Sequence, residues 1–246
     1  KYVAGWGYML SAHNTDIIYK TPTATSWTTA TTDTVYGSQL ERGAQFGSYF
    51  YIPHRVVSQV VSAPIRLSSA IASTVMSMTN PTFQDSFASP SGTYIPNAYQ
   101  YVAHGGYLWA IRTYDAAGAA EAPLRIRWSH PADGGSWRTN DYIDITDGSL
   151  SATAVSFGSH LLIATTKGLW AIYGSSPENF SLIQLVRNMS LTLIAEGGGK
   201  AVFAERKHDE TVDGVARIML YDGESLTDIS HQIRGLEYPK ITPLAG

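Results

Sequence analysis

Short apolar runs separated by polar turns recur along this chain, and the clearest pair lies between Gly158 and Phe180. His160 to Thr165 is an apolar run with a β-branched residue inside it, and Lys167-Gly168 reads as a tight polar turn. Leu169 to Tyr173 is a second apolar run, closed by Gly174-Ser175-Ser176-Pro177. Two runs of roughly five to seven residues joined so closely predict an antiparallel hairpin, because a side-chain period of two and a Lys-Gly turn leave little room for a helix.

The same unit is repeated. Gly5-Trp6-Gly7 precedes Tyr8 to Ala12, Gly47-Ser48 precedes Tyr49 to Ile52, Gly105-Gly106 precedes Tyr107 to Ile111, and Gly198-Gly199 precedes Lys200 to Ala204. With Gly158 included, the first glycines of successive copies are 42, 58, 53 and 40 residues apart. A sheet of four short strands needs about 40 to 50 residues, the period of a propeller blade. The fold class predicted is therefore all-β, a β-propeller of about five four-stranded blades, either whole or part of a larger chain. The blades fall near residues 1–40, 43–95, 97–148, 149–188 and 190–235, with residues 236–246 as a C-terminal tail. Two prolines in that tail argue against a central strand.

Blade three shows how the strands are placed. Tyr99 to Ala103 and Tyr107 to Tyr114 form its first pair, Leu124 to Trp128 alternates apolar and basic side chains, and Tyr142 to Ile145 alternates likewise. In blade two, Tyr49 to Ile52 and Val56 to Val61 read as strands, followed by a Ser-rich stretch from Ser68 to Ser91 in which Ala70 to Met78 has weak helical spacing. An isolated blade leaves two faces and two edges open, so radial packing is expected, with Phe50, Trp109 and Leu162 between blades.

Composition narrows the function. The chain has 246 residues, 15% of them charged, a net charge of −3 and no cysteine. No run of Lys or Arg offers the clustered basic face that phosphate-backbone binding needs. Disulfides and thiolate metal sites are excluded. The least charged segment, Val56 to Gln84, contains Arg66 and is broken by polar residues and proline, so it cannot span a membrane as a helix. Nothing at the start reads as a signal peptide, and an opening on Lys1-Tyr2-Val3 reads as a processed or partial chain.

Candidate chemistry is thin. Paired carboxylates for glycoside cleavage would have to come from Asp16, Asp85, Asp115, Glu121, Glu196 and Glu205, and none recurs on an innermost strand; they read as solvated turn carboxylates. His13, His54, His104, His130, His160, His208 and His231 are scattered one or two to a blade without the close pairs a metal site favours. His208-Asp209-Glu210 with Asp213 reads as a solvated loop before a cation site. The stretch Ser129 to Trp137 is similar to the Asp-box turn of sialidases, but its spacing is wrong. There is no phosphate-binding glycine loop and no nucleophile elbow. Trp6, Trp27 and Trp137 lie beside turns, where an aromatic face can stack on a sugar, whereas Trp109 and Trp170 read as blade packing. Asn179 and Asn188 fit the glycosylation sequon, a pattern common by chance. No catalytic, cofactor-binding or metal-binding residue is assigned.

The stretch from Arg125 to Asp144, RIRWSHPADGGSWRTNDYID, resembles the propeller domains of phage tail nozzle proteins, the tail tubular protein B family of short-tailed phages. The matching positions are Arg125, Arg127, Trp128, Ser129, Asp133 and Trp137; the strand pair ending at Tyr173-Gly174, the Ser176 to Phe180 turn and the Ile229 to Arg234 ending are similar in texture. The likeness covers about 120 residues, from Arg112 to Arg234. It implies a non-enzymatic virion protein without cofactors, a hexamer-like homo-oligomeric ring around the DNA exit channel. Its partners would be adaptor and fibre proteins of the tail, with DNA passing through non-specifically and no membrane span. The alternatives are a carbohydrate-binding or glycoside-cleaving propeller in host recognition and, third, a periplasmic interaction propeller.

Overall fold

The computed structural model describes residues 2–5, 8–13, 16–21, 23–26, 28–32, 42–53, 64–68, 73–75, 95–114, 120–122, 124–149, 151–207 and 214–232. The chain divides into two compact units, Lys1–Asp144 and Ile145–Gly246. It is an all-β protein built of β-propeller blades: the described residues form five four-stranded antiparallel sheets, and in each the strands neighbour one another in chain order.

The first unit holds three sheets. They are β1 to β4 (Tyr2–Gly5, Tyr8–His13, Asp16–Lys20, Thr28–Thr32), β5 to β8 (Ala44–Phe46, Tyr49–Ile52, Ile65–Ser68, Ser73–Val75) and β9 to β12 (Asn97–His104, Tyr107–Tyr114, Arg125–His130, Asp133–Asp144). The second unit holds β13 to β16 (Ala152–Phe157, His160–Thr165, Gly168–Tyr173, Ser181–Arg187) and β17 to β20 (Leu191–Gly197, Lys200–Lys207, Gly214–Tyr221, Leu226–Asp228). In the first unit β5 lies near β9, and in the second β13 lies near β17, so these blades meet along their first strands.

In blades two to five the repeated glycine lies in the turn between the first and second strands. Gly47, Gly105, Gly106, Gly158, Gly198 and Gly199 all take positive φ, between 54° and 84°, which a side chain with a Cβ adopts only at a cost.

The second unit packs by alternation. Leu162 pairs with Val155 on one side and Ala171 on the other, so the three share a face. That face joins Phe157, Leu169, Leu191, Ala201, Phe203, Met219 and Tyr221 in one apolar cluster spanning both blades. Burying one such leucine contributes about 1.5–3 kcal/mol. Phe50, Trp109 and Leu162 are all buried.

Several expectations are corrected. Gly168 is not a turn residue; it opens β15, where an added Cβ would collide with the Val186 carbonyl oxygen at 2.1 Å, so the turn is Thr166-Lys167. The strand expected at Tyr142 begins nine residues earlier, because Asp133 to Trp137 is not a turn but the bulged start of β12, with Ser129 opposite Trp137 and His130 opposite Asp133. The turn itself is Pro131-Ala132, and Ala132 takes φ 61°. The helical spacing at Ala70 to Met78 does not make a helix where the structure describes it: Ser73–Val75 is strand β8, paired with β7. Strands β1, β5 and β7 have no counterpart among the expected strands, each being only three or four residues long. Val56 to Val61 and residues 236–246 lie outside the described residues.

Candidate functional site

The stretch with the most chemistry in the sequence, Arg125 to Asp144, folds into the antiparallel pair β11 and β12, and the register decides what its charges meet. Arg125 stands opposite Asp144 and Arg127 opposite Tyr142, so the basic side chains of one strand face an acid and a ring of the other. Arg125 clamps Asp144 with two parallel bonds, Nε to Oδ1 at 2.8 Å and Nη2 to Oδ2 at 2.9 Å, and its guanidinium lies 3.7 Å from the centre of the Tyr142 ring.

Arg127 is only 6% exposed. A charge that far from water requires partners, and it has three: Nε and Nη2 donate to the two Glu121 oxygens at 2.8 and 2.9 Å, and Nη1 donates to the Thr139 carbonyl at 2.8 Å. Thr113 Oγ1 donates to Glu121 at 2.7 Å. Strict alternation along β10 would put Thr113 and Ala110 on opposite faces, yet Arg127 is paired with Ala110. The left-handed backbone of Arg112, φ 54°, breaks the alternation between them and lets Thr113 reach the shared carboxylate. Burial pushes the Glu121 carboxyl up, but the hydrogen bonds from Arg127 and Thr113 and the charges of Arg127 and Arg125 outweigh it, leaving Glu121 below the ordinary value.

The remaining motif residues are also committed internally. Ser129 Oγ accepts from the Leu108 N–H at 3.0 Å and donates to the His130 carbonyl at 2.8 Å. Asp133 accepts from the Gly135 N–H and from Ser136 Oγ, which shapes the bulge at the start of β12. Trp137, expected beside a turn, is 7% exposed, and its indole N–H donates to the Gly134 carbonyl at 2.8 Å, so it offers no platform for a sugar. Trp109 is buried and donates to the His104 carbonyl, and Trp170 donates to Asp147. Tyr51 packs against Gly134, where an added Cβ would lie 2.7 Å from its ring. Burial, against the pull of Arg66, drives the Tyr51 phenol up to about 12.

The other sequence candidates do not converge. Glu205 is paired with Arg217, Glu196 is exposed, Asp16 lies in β3 with its side chain outside the described set, and Asp85 and Asp115 lie outside the described residues. His104 lies at the end of β9, His130 Nδ1 sits 2.7 Å from the Pro131 carbonyl, and His231 is exposed. His13 lies in β2, again without a described side chain; His54, Trp6, Trp27 and the loop from His208 to Asp213 lie outside the described residues. Among the described residues no cluster of His, Asp and Glu could hold a metal ion, and no helix is long and apolar enough to cross a membrane. The sequon residue Asn179 is exposed, and its Oδ1 accepts from the Ser175 and Ser176 N–H groups, which closes the turn after Gly174.

His160 is the unforeseen environment. It is 7% exposed in a cage of Phe157, Tyr173 and Tyr221, stacked 4.8 Å from Tyr173, and its buried Nε2 has no partner. Burial lowers its pKa. Its place at the head of an apolar strand was the available sign.

No protein-family model and no curated protein matches the chain. Among solved structures it is similar to the N-terminal domain of Nup159, with 8% identity and a TM-score of 0.44 over 92% of this chain and 60% of that one. The extracellular domain of the hybrid two-component system BT4673 from B. thetaiotaomicron gives 12% identity and a TM-score of 0.39, over 96% of this chain and 33% of that one. PorZ, a surface component of the type-IX secretion system of Porphyromonas gingivalis, gives 12% and 0.39, over 92% and 27%. The chain thus spans 60% or less of the length of each of these three structures.

Proposed function

We propose that this chain is a non-enzymatic structural propeller, a tail nozzle component of a phage virion that assembles with copies of itself around the DNA exit channel. One observation carries the structural half of this reading: in the stretch where the resemblance is strongest, Arg125, Arg127, Ser129, Asp133 and Trp137 each direct their polar atoms to neighbours within the same blade. Residues that fix strand register and sheet edges make a rigid blade, and rigid blades serve an assembly whose work is geometric. The nozzle half rests on the resemblance itself. Aspartates and glutamates outnumber lysines and arginines by 20 to 17, in keeping with a wall along which DNA slides without sticking.

Electron microscopy of the purified chain, together with mass photometry, tests the proposal. Closed rings of fixed copy number support it. A monomer at micromolar concentration that binds glycans on an array overturns it in favour of a host-recognition propeller.

A further inference from the structure

Where β9 begins and β10 ends, Asn97, Tyr99, Arg112 and Tyr114 lie at one end of the ladder. The ladder pairs Ile111 with Gln100, Thr113 with Ala98 and Tyr114 with Asn97, but Arg112 and Tyr99, which face each other between these pairs, make no bridge. Arg112 holds a left-handed backbone inside a strand, φ 54°, a conformation glycine adopts without cost. Its guanidinium lies 5.5 Å from the centre of the Tyr114 ring, and its buried Nε has no hydrogen-bond partner among the described residues. Neither does the Asn97 carboxamide, which is 2% exposed and lies directly across the ladder from Tyr114. Arg42 stacks on the Tyr99 ring at 3.8 Å. Burial raises the Tyr114 pKa, Arg112 pulls it back, and Tyr99 and Arg42 act on it in opposite senses, so all three side chains lie within electrostatic reach of the Tyr114 phenol.

We infer that Arg112, Tyr114, Tyr99 and Asn97 form a binding site for a carboxylate. Arg112 supplies a planar fork of donors whose natural complement is a bidentate carboxylate. The two phenols and the carboxamide add neutral donors, so a single negative charge is matched better than the double charge of a phosphate. The left-handed backbone that brings Thr113 to Glu121 would be met at no cost by glycine, so the arginine side chain at this position is not explained by that contact. The carboxylate can be carried by an acidic sugar or by an acidic peptide, and the site stands independently of the assembly the chain serves.

Isothermal titration and saturation-transfer NMR at low ionic strength, with glucuronic acid, N-acetylglutamate and inorganic phosphate as probes, test the inference. Millimolar binding of glucuronic acid alone identifies an acidic glycan, of N-acetylglutamate alone an acidic peptide, and of both a site for the carboxylate group itself; each supports the proposal. Arg112→Gly relieves the backbone while removing the fork, so it should keep or raise the melting temperature and weaken carboxylate binding at least ten-fold. Arg112→Gln, which keeps a side chain there, should weaken it similarly. Phosphate binding tighter than either carboxylate, undiminished binding by Arg112→Gly, or no binding of either carboxylate overturns it.

Discussion

Blades three and four are built on the same four-strand plan and are held together by different physics. Blade four, β13 to β16, is a meander with one register shift, between Leu169 and Trp170; its second strand, His160–Thr165, is buried at every position, and its inward face continues into the next blade as one apolar cluster. Blade three, β9 to β12, buries an arginine and a serine among its tryptophans and satisfies them through partners as far as 21 residues away in sequence. The apolar blade is stable through area removed from water, which is roughly additive and forgiving of position. The polar blade depends on complete satisfaction: a charge such as Arg127 is tolerable with all its partners and costly with any one missing.

The largest effect expected on the apolar side comes from Leu162→Ala, since Leu162 is fully buried in the cluster. Loss of about 3 kcal/mol in a denaturant titration is expected, and a loss below about 1 kcal/mol would mean the site collapses around the gap. On the polar side, Glu121→Ala leaves the Arg127 guanidinium buried without its acid and should cost about 2–3 kcal/mol. Replacing Glu121 and Arg127 together by apolar residues should cost less than the single change, and a fully additive double mutant would show that the pair does not act as a unit.

Protonation separates the two blades more gently. Because the Glu121 pKa is depressed in the folded state, its contribution is complete above about pH 4.5 and is lost as the pH falls through the folded value. Glu121→Gln should flatten the acid limb there. His160 has the opposite charge type and also loses stability in acid: its folded pKa lies below the ordinary 6.5, so the unfolded chain takes up the proton first as pH falls past that value. His160→Phe should remove the stability slope between pH 6.5 and the folded pKa; an unchanged slope would place that titration elsewhere. Smallest of all, Arg217→Ala, at an exposed position of β19, should leave the melting midpoint nearly where it was, because an ion pair whose arginine stands in solvent is weak even with good geometry.

The same contrast explains which features are legible in the sequence alone. His160 to Tyr173 and the glycine turns announced themselves because alternation and left-handed turns are local properties. Asp133 to Trp137 misled because glycines and an aspartate signal a turn whether they end a strand or bulge it, and only pairing with Ser129 and His130 distinguishes the two. The partners of Arg127 were out of reach for a related reason. Glu121 comes from the connection between β10 and β11, where Thr113 holds it by its hydroxyl and its carbonyl; Thr113 faces it because Arg112 is left-handed, and no sequence period encodes a single left-handed residue. Trp137 looked like a surface ring because it follows a polar stretch, yet the bulge turns it inward beneath Gly134.

The glycine turns between first and second strands also give the chain a set of equivalent handles. With no cysteine anywhere, a single thiol introduced at exposed Ser48 or Ser159, each next to a turn glycine, would be unique in the molecule. A fluorophore or spin label attached there would report from corresponding places on different blades, so the internal repeat becomes a ready-made ruler for measuring how the blades are spaced in solution.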